Sequence, residues 1–379
     1  MSNLKKIIYL TYQVFPNEKA NNLQTIRMME HLNSLSGYEA ELIFPDRDTF
    51  DKEYSTIKNF YDINKDFNIT TYSHFLPFNY FKKFKKTTFI ISSFLWSFFA
   101  VKKTVKRSSP SALFISRTIW VVYFLSKYKN KIIYECHKFS KIEKLIFKRL
   151  KDKENLVIVF TNEQLRSKYK ISNNLDKKSI VLQSSYEDRY FQSGIKKVEK
   201  QVIFVGHLLR FDKSRNLNFL INAFSDLRLK EHNLIIVGGP DDVAKKMQSE
   251  NSNKNINFTG HVSNKQAAGY IMKSEIGILL NERDSHSEFY TSPIKYFEYL
   301  RGGLKIVAVD FESHRILPVK DNIFYFSHND KEDLILKIIE ASKKSYNNKT
   351  EVIKYSYESR VRALMSHVAR LEGLEPPTL

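Results

Sequence analysis

Short apolar runs alternate with stretches whose apolar residues recur at i, i+3 and i+4, the pattern of βαβ units that build parallel sheets. Residues 7–12 are expected to form a strand, followed by a loop through Pro16 and Asn17. Leu23, Ile26, Met29, Leu32 and Leu35 place a helix over residues 22–35. Gly37 ends it, and residues 40–44 form the next strand. Further strands are expected at 112–116, 131–135, 157–161 and 180–182, before a polar break at 192–197 that suits a linker.

The second half repeats the pattern. A strand at 202–205 ends in Gly206, and a basic loop leads to a helix over 216–227. A strand at 234–237 ends in Gly238-Gly239-Pro240, and one at 256–259 ends in Gly260. Residues 276–280 precede a long polar loop. A helix over 293–300 stops at Gly302-Gly303, a strand follows at 305–309, and helices at 331–342 and 355–365 complete the chain. The predicted fold class is α/β, with two doubly wound Rossmann-like domains at 1–192 and 200–350 facing a central cleft. Such sheets bind ligands in loops at the carboxyl ends of their strands.

Composition agrees with two folded domains. The chain has 379 residues, 42% apolar and 14% aromatic, which excludes wholesale disorder. Its single cysteine, Cys136, excludes a disulfide framework and a multi-cysteine zinc site, and suits a cytoplasmic location. No run approaches ~18–20 consecutive apolar residues, so neither a membrane span nor a signal sequence is expected.

Charge changes the picture more. Sixty-one Lys and Arg against 41 Asp and Glu give +20, which favours anionic partners. A bias toward Lys, Asn, Ile, Phe and Tyr accounts for part of this, but not for residues 67–134, which hold 12 Lys and Arg and no acid. Within that block, Lys82, Lys83, Lys85 and Lys86 and then Lys102, Lys103, Lys106 and Arg107 bracket an apolar segment at 89–101. As a helix it would reach only ~20 Å, short of a ~30 Å hydrocarbon core. The segment at about 78–107 therefore suits a helix lying in the surface of an anionic membrane, or a buried helix with basic ends.

Neither a GxGxxG fingerprint nor a GxxxxGK phosphate loop occurs. Two other places suit a diphosphate. Gly206-His207-Leu208 leaves a strand and is followed by Arg210, Lys213 and Arg215 just before a helix, where free N–H groups and basic side chains favour an anion. The bland alternative is a solvated basic loop. Ser292-Pro293-Ile294 opens a helix on which Lys295 and Glu298 share a face. Here the bland alternative is an ordinary ion pair.

Together these segments resemble the nucleotide-sugar half of family-4 glycosyltransferases, retaining enzymes of the GT-B fold. The resemblance rests on Gly206-His207-Leu208, Arg215-Asn216, Gly238-Gly239-Pro240, Phe258-Thr259-Gly260-His261-Val262 and the stretch from Ser292 to Leu300. The N-terminal half adds Ala20 to Met28, Glu135-Cys136-His137 and the turn at 184–191. His207 stands where the family usually has Arg, and Arg215-Asn216 replaces its Lys-Gly. Tyr290 occupies the place of the first Glu of its E-x7-E pair, with Glu288 two residues earlier.

The resemblance implies a nucleoside-diphosphate-sugar donor held by Gly206, His207, Lys213, Arg215, Gly238, Ser292, Pro293, Ile294 and Glu298. Glu298 would accept ribose hydroxyls. Arg215, with Lys213 or Lys295, would stabilise the departing diphosphate, so His137, Arg215 and Lys295 form the expected catalytic set. Front-face attack with retention needs no dedicated base and no cofactor. Asp46-Arg47-Asp48 has an Asp-x-Asp form that binds a metal in other glycosyltransferases, but no metal is expected here.

The implied task is bacterial surface-polysaccharide synthesis (capsule, O-antigen or exopolysaccharide) on a lipid-linked or oligosaccharide acceptor. The expected location is cytoplasmic, peripheral at the inner face of the cell membrane and its anionic surface, with no nucleic acid as partner. An inverting GT-B transferase and a sugar-nucleotide epimerase are the near rivals. A basic nucleic-acid-binding protein is the distant one, without an RNP or zinc motif to support it. In the family the last helix, here 351–367, returns to the first domain. Gly373, Pro376 and Pro377 break any helix beyond it, so 368–379 is expected to be a disordered or non-native tail.

Overall fold

The computed structural model describes residues 5–46, 54–74, 85–210, 213–214, 216–345 and 350–373. The chain forms two compact units, Met1–Leu182 with Tyr357–Leu379, and Gln183–Ser356. The division falls before the polar break at 192–197. Ser184 is already bonded to Ser292, and Tyr186 is fully buried in the second core.

The first unit holds seven parallel strands: β1 (Lys5–Leu10), β2 (Tyr38–Asp46), β3 (Asn68–Ser73), β4 (Leu113–Ser116), β5 (Ile132–Cys136), β6 (Leu156–Phe160) and β7 (Ser179–Val181). Their order is β3-β2-β1-β4-β5-β6-β7. In register, Ile7 faces Ala40 on one side and Leu113 on the other. The central strands are near-continuous apolar runs because helices cover both faces, and Ile7 to Leu10 are wholly buried. β3 escapes the hydrophobic pattern: Asn-Ile-Thr-Thr-Tyr-Ser is a half-exposed edge strand.

Helix Ala20–Asn33 buries Ile26, Met29 and Leu32 and packs beside helix Tyr357–Leu371. That last helix runs beyond the expected end. Val368 and Ala369 are buried at 5% and 6% exposure, so residues 368–371 are packed structure rather than tail.

Helix Lys85–Arg107 is 23 residues long, ~35 Å at 1.5 Å per residue, where a ~20 Å segment was expected. Thr87–Arg107 is long and apolar enough to cross a bilayer, yet 44% of its most apolar window is buried within the unit. The residues turned inward are mostly small and hydroxylic: Thr88, Ser92, Ser93, Ser97, Ala100 and Thr104, with Trp96.

The second unit is built on β8 (Gln201–Val205), β11 (Asn233–Val237), β12 (Ile256–Phe258), β13 (Ile276–Leu279), β14 (Lys305–Val309) and β15 (Ile323–Phe326), with a small hairpin of β9 (Leu209–Arg210) and β10 (Lys213–Ser214). The six-stranded sheet is parallel in the order β12-β11-β8-β13-β14-β15. Strand order reverses between β8 and β13, the point at which doubly wound sheets open a crevice for ligands.

Candidate functional site

In the second unit β8 and β13 part company at that point. β8 pairs with β11 along its whole length, from Gln201 to Val205. It meets β13 only at Val202↔Ile276 and Ile203↔Gly277. Tyr299, fully buried, fills the gap. Its hydroxyl accepts from the Val205 N–H at 2.9 Å and donates to the Ile278 carbonyl at 3.5 Å. The ring lies against Gly277, where a Cβ would come within 2.4 Å of Tyr299 Cδ2.

The crevice so opened is edged by glycine turns. The Gly206 N–H donates to Val237 O at 2.9 Å, Leu208 N–H to Gly239 O at 2.8 Å, and Gly238 N–H to Gly260 O at 3.0 Å. Gly238 has φ +144°, and a Cβ there would fall 1.9 Å from Gly206 O, so any side chain would force these turns apart. A backbone edge without side chains lets a phosphate approach closely. His207 is exposed, its Nδ1 2.8 Å from the Leu209 carbonyl. Lys213 belongs to the β9–β10 hairpin. Arg215 lies outside the described residues. The helix after it begins at Leu217, with Asn216 capping it at φ +60° and bonded to Asn329 at 2.9 Å.

The loop after β13 winds one turn of π-helix, His286–Tyr290, a rare feature often found at functional sites. Asp284 organises it, accepting from the His286 and Ser287 N–H groups at 2.8 Å each. Glu288 and Tyr290 share this turn, with Glu288 3.8 Å from the Arg283 guanidinium. Pro293 then occupies the cap of helix Ile294–Arg301 rather than its first turn, with extended dihedrals. Ser292 is held from both sides: its hydroxyl accepts from Ser184 N–H at 2.8 Å, and its carbonyl accepts from the Ser184 hydroxyl at 2.6 Å. On the helix, Lys295 Nζ donates to Glu298 at 2.6 Å, so the ion pair of the bland reading is formed. Tyr299 ties this helix to the end of β8, next to Gly206.

The first unit has a different centre. Glu135, 1% exposed at the end of β5, accepts from Tyr9 at 2.7 Å, Arg117 at 3.1 Å and Arg360 at 3.0 Å. Burial opposes its ionisation, but Arg117 and Arg360 outweigh that and hold the carboxyl well below its usual range. Arg117 also donates to Asn21 O and Gln24 Oε1 at 3.0 and 3.1 Å, fixing the start of the first helix. The half-buried His137 follows two residues later. Its loop is fastened by the Tyr169 hydroxyl, which donates to Lys138 O at 2.8 Å and accepts from Ser140 N–H at 3.0 Å.

Residues 199–344 match the family model "Glycosyl transferases group 1". The fold agrees over nearly the whole chain. A structure described as trehalose-6-phosphate from E. coli bound with UDP-2-fluoro glucose matches with a TM-score of 0.68 at 10% identity, covering 98% of this chain and 100% of that one. The lipopolysaccharide outer core galactosyltransferase WaaB matches with a TM-score of 0.64 at 12% identity, covering 96% and 99%. The chain is a glycosyltransferase of the GT-B fold. A curated protein from Klebsiella pneumoniae, an uncharacterized 41.2 kDa protein in the cps region, is 23% identical over 66% of this chain and 79% of its own length. A DNA-directed RNA polymerase subunit beta' from Oedogonium cardiacum is 26% identical over 41% of this chain, which spans only 7% of that protein.

In this glycosyltransferase the residues singled out from sequence fall in three groups. Gly206, Gly238, Ser292, Pro293, Ile294, Lys295 and Glu298 lie on the glycine turns, the β13 loop and the helix that Tyr299 ties to β8, while His137 lies in the first unit. Lys213 is placed by its backbone, and Arg215, Arg47 and Asp48 lie outside the described residues. Among the described residues no group of three His, Cys, Asp or Glu is placed to hold a metal. Sequence reasoning missed Tyr299, Gly277, Arg117 and Arg360. Of these only Gly277, a glycine inside an apolar strand, carried a local signal of close approach.

Proposed function

We propose that this glycosyltransferase moves a sugar from a nucleoside-diphosphate sugar to a lipid-linked acceptor, with retention, during bacterial surface-polysaccharide synthesis at the inner face of the cell membrane. The observation that carries the donor half is the glycine-edged crevice where β8 and β13 separate, with Lys295 and Glu298 on the helix anchored beside it. The neighbour described with UDP-2-fluoro glucose supports a nucleotide-sugar donor. A trehalose-6-phosphate synthase described as transferring with retention, TM-score 0.63 at 11% identity, supports the stereochemistry. The cps-region relative and the galactosyltransferase of lipopolysaccharide support a surface-glycan acceptor.

The donor diphosphate lies along the Gly206 and Gly238 turns, whose backbone admits it. Glu298 accepts the ribose hydroxyls, and Lys295 turns from Glu298 to the diphosphate. Arg215 and Lys213 add charge at the leaving group, where one such contact is typically worth a few kcal/mol in the barrier. We assign His137 of the first unit to the transferred sugar, as the family resemblance implies. The anomeric carbon's bond to the diphosphate oxygen breaks, releasing the nucleoside diphosphate. A new bond to the acceptor oxygen forms on the same face, and the acceptor hydroxyl's proton passes to a phosphate oxygen of the leaving group.

The test is Glu298→Gln, with nucleoside-diphosphate affinity measured by calorimetry alongside thermal melting. Loss of one charged hydrogen bond should weaken binding by about 10–150-fold. If affinity holds within threefold while the melting temperature drops, Glu298 serves only its ion pair with Lys295 and the donor assignment fails. Screening UDP, GDP, ADP and their sugars for thermal shifts identifies the nucleotide. The anomeric configuration of the product separates retention from inversion.

A further inference from the structure

Helix Lys85–Arg107 turns an apolar stripe outward. Trp96, Ala100 and Val101 are buried beside its hydroxylic residues, while Phe89, Ile91, Phe98 and Phe99 stand 45%, 49%, 41% and 51% exposed. A helix with one face in water ordinarily buries its rings and exposes its hydroxyls. The exposed rings do not stop at this helix. Phe94 packs edge-on against Trp120 and Phe124 at 5.0 and 5.1 Å, joining it to helix Ile119–Leu125.

Helix Ile119–Leu125 in turn touches helix Lys141–Arg149. There the acid, Glu143, is buried, while Ile142 and Leu145 are exposed among Lys141, Lys148 and Arg149. From Lys85 to Arg149 the only acids are Glu135 and Glu143, and both are buried. Lys102, Lys103, Lys106, Lys127 and Lys129 are exposed.

We infer that these three adjoining helices form one docking face of the N-terminal unit for an anionic lipid bilayer. Exposed rings enter the headgroup–acyl boundary, and the lysines meet anionic headgroups. The uniform positive charge opposes a second copy of the same face. The rings are packed edge-on against one another, which leaves poor platforms for stacked bases. The inference extends the proposed membrane location to two helices outside the apolar segment seen in sequence. It draws on the lipid-linked acceptor only for its purpose.

The test is flotation of the full chain with phosphatidylcholine vesicles, with and without phosphatidylglycerol, in the absence of donor and acceptor. Binding should require phosphatidylglycerol and weaken with salt. Lys102→Gln/Lys103→Gln/Lys106→Gln should weaken it by about fivefold per lysine. Phe98→Ser/Phe99→Ser should weaken it at every salt concentration, and Leu145→Ser/Lys148→Gln should weaken it through the third helix alone. A chain that stays unbound with anionic vesicles overturns the inference. So does a dimer that dissociates on Phe98→Ser/Phe99→Ser, which would make a second copy the occupant. Nucleoside-diphosphate affinity should be unchanged in all three variants, so failure here and failure of the donor reading are told apart.

Discussion

At the carboxyl edge of the first sheet, small hydroxyls stitch the central strands together. Ser116 donates to Leu10 O at 2.6 Å, and the Tyr12 N–H reaches Thr118 Oγ1 at 3.0 Å, closing β1 onto β4. At the equivalent edge of the second sheet the bridge is longer: the Tyr299 hydroxyl spans from the Val205 N–H to the Ile278 carbonyl, where β8 and β13 no longer pair directly. The first edge is then filled with buried charge around Glu135, whereas the second is lined by the glycine turns of Gly206, Gly238 and Gly260. One topology thus gives two kinds of edge. A closed, charge-filled edge is a rigid mount whose donors are largely spent within the protein. An opened edge of bare backbone has the form that lets an anion approach closely.

The largest expected effect sharpens the first half of that contrast. Glu135→Ala leaves Arg117 and Arg360 as uncompensated buried charges, a loss of about 3–5 kcal/mol. Hydrogen exchange should show lost protection in β1, β5 and helix Tyr357–Leu371, with β8 and β11 unchanged. Equal loss in both units would deny that the charged mount belongs to the first.

The second unit has its own buried ionisable group in His314, wholly buried, with Nδ1 2.7 Å from the Val309 carbonyl. Burial pushes its pKa down to about 4 from 6.5. The unfolded chain therefore binds a proton that the folded one refuses, so stability falls as pH drops through 6.5 and levels off near 4. At ~1.4 kcal/mol per pH unit this amounts to about 3 kcal/mol. His314→Gln should flatten that part of the stability–pH curve in urea titrations. An unchanged slope between pH 6.5 and 4 would exclude His314 as its source.

A smaller effect should follow from Tyr299→Phe. It keeps the ring but leaves the Val205 N–H without its acceptor, a cost of about 1–3 kcal/mol. If the wedge shapes the donor edge, nucleotide affinity should fall while the KM for acceptor stays constant. A stability loss with unchanged nucleotide affinity would reduce Tyr299 to a packing residue.

Each sheet was foreseen but for one strand. In the second unit β8, β11 and β12 are short, apolar and followed by Gly206, Gly238 and Gly260, so period and turn signals agree, whereas β15, which no glycine follows, was missed. β3 was missed because an edge strand of Asn, Thr and Ser carries no apolar alternation. Helix Lys85–Arg107 was read too short because its ends, Lys85-Lys86 and Lys102 to Arg107, are mostly charged and fall outside the apolar run although they continue the helix. The Glu135 network was beyond local reading. Arg117 lies 18 residues away and Arg360 lies 225 away, and no spacing rule connects residues that meet only after both crossovers are folded.

Gly277 and Tyr299 also constrain the routes by which descendants of this chain can change. A side chain gained at 277 first would strike the ring, 2.4 Å from where its Cβ would stand. Shrinking Tyr299 to Ala first would leave a cavity costing about 3–5 kcal/mol. Either step alone passes through a damaged protein, so only a paired change at 277 and 299 would keep the packing between β8 and β13 intact.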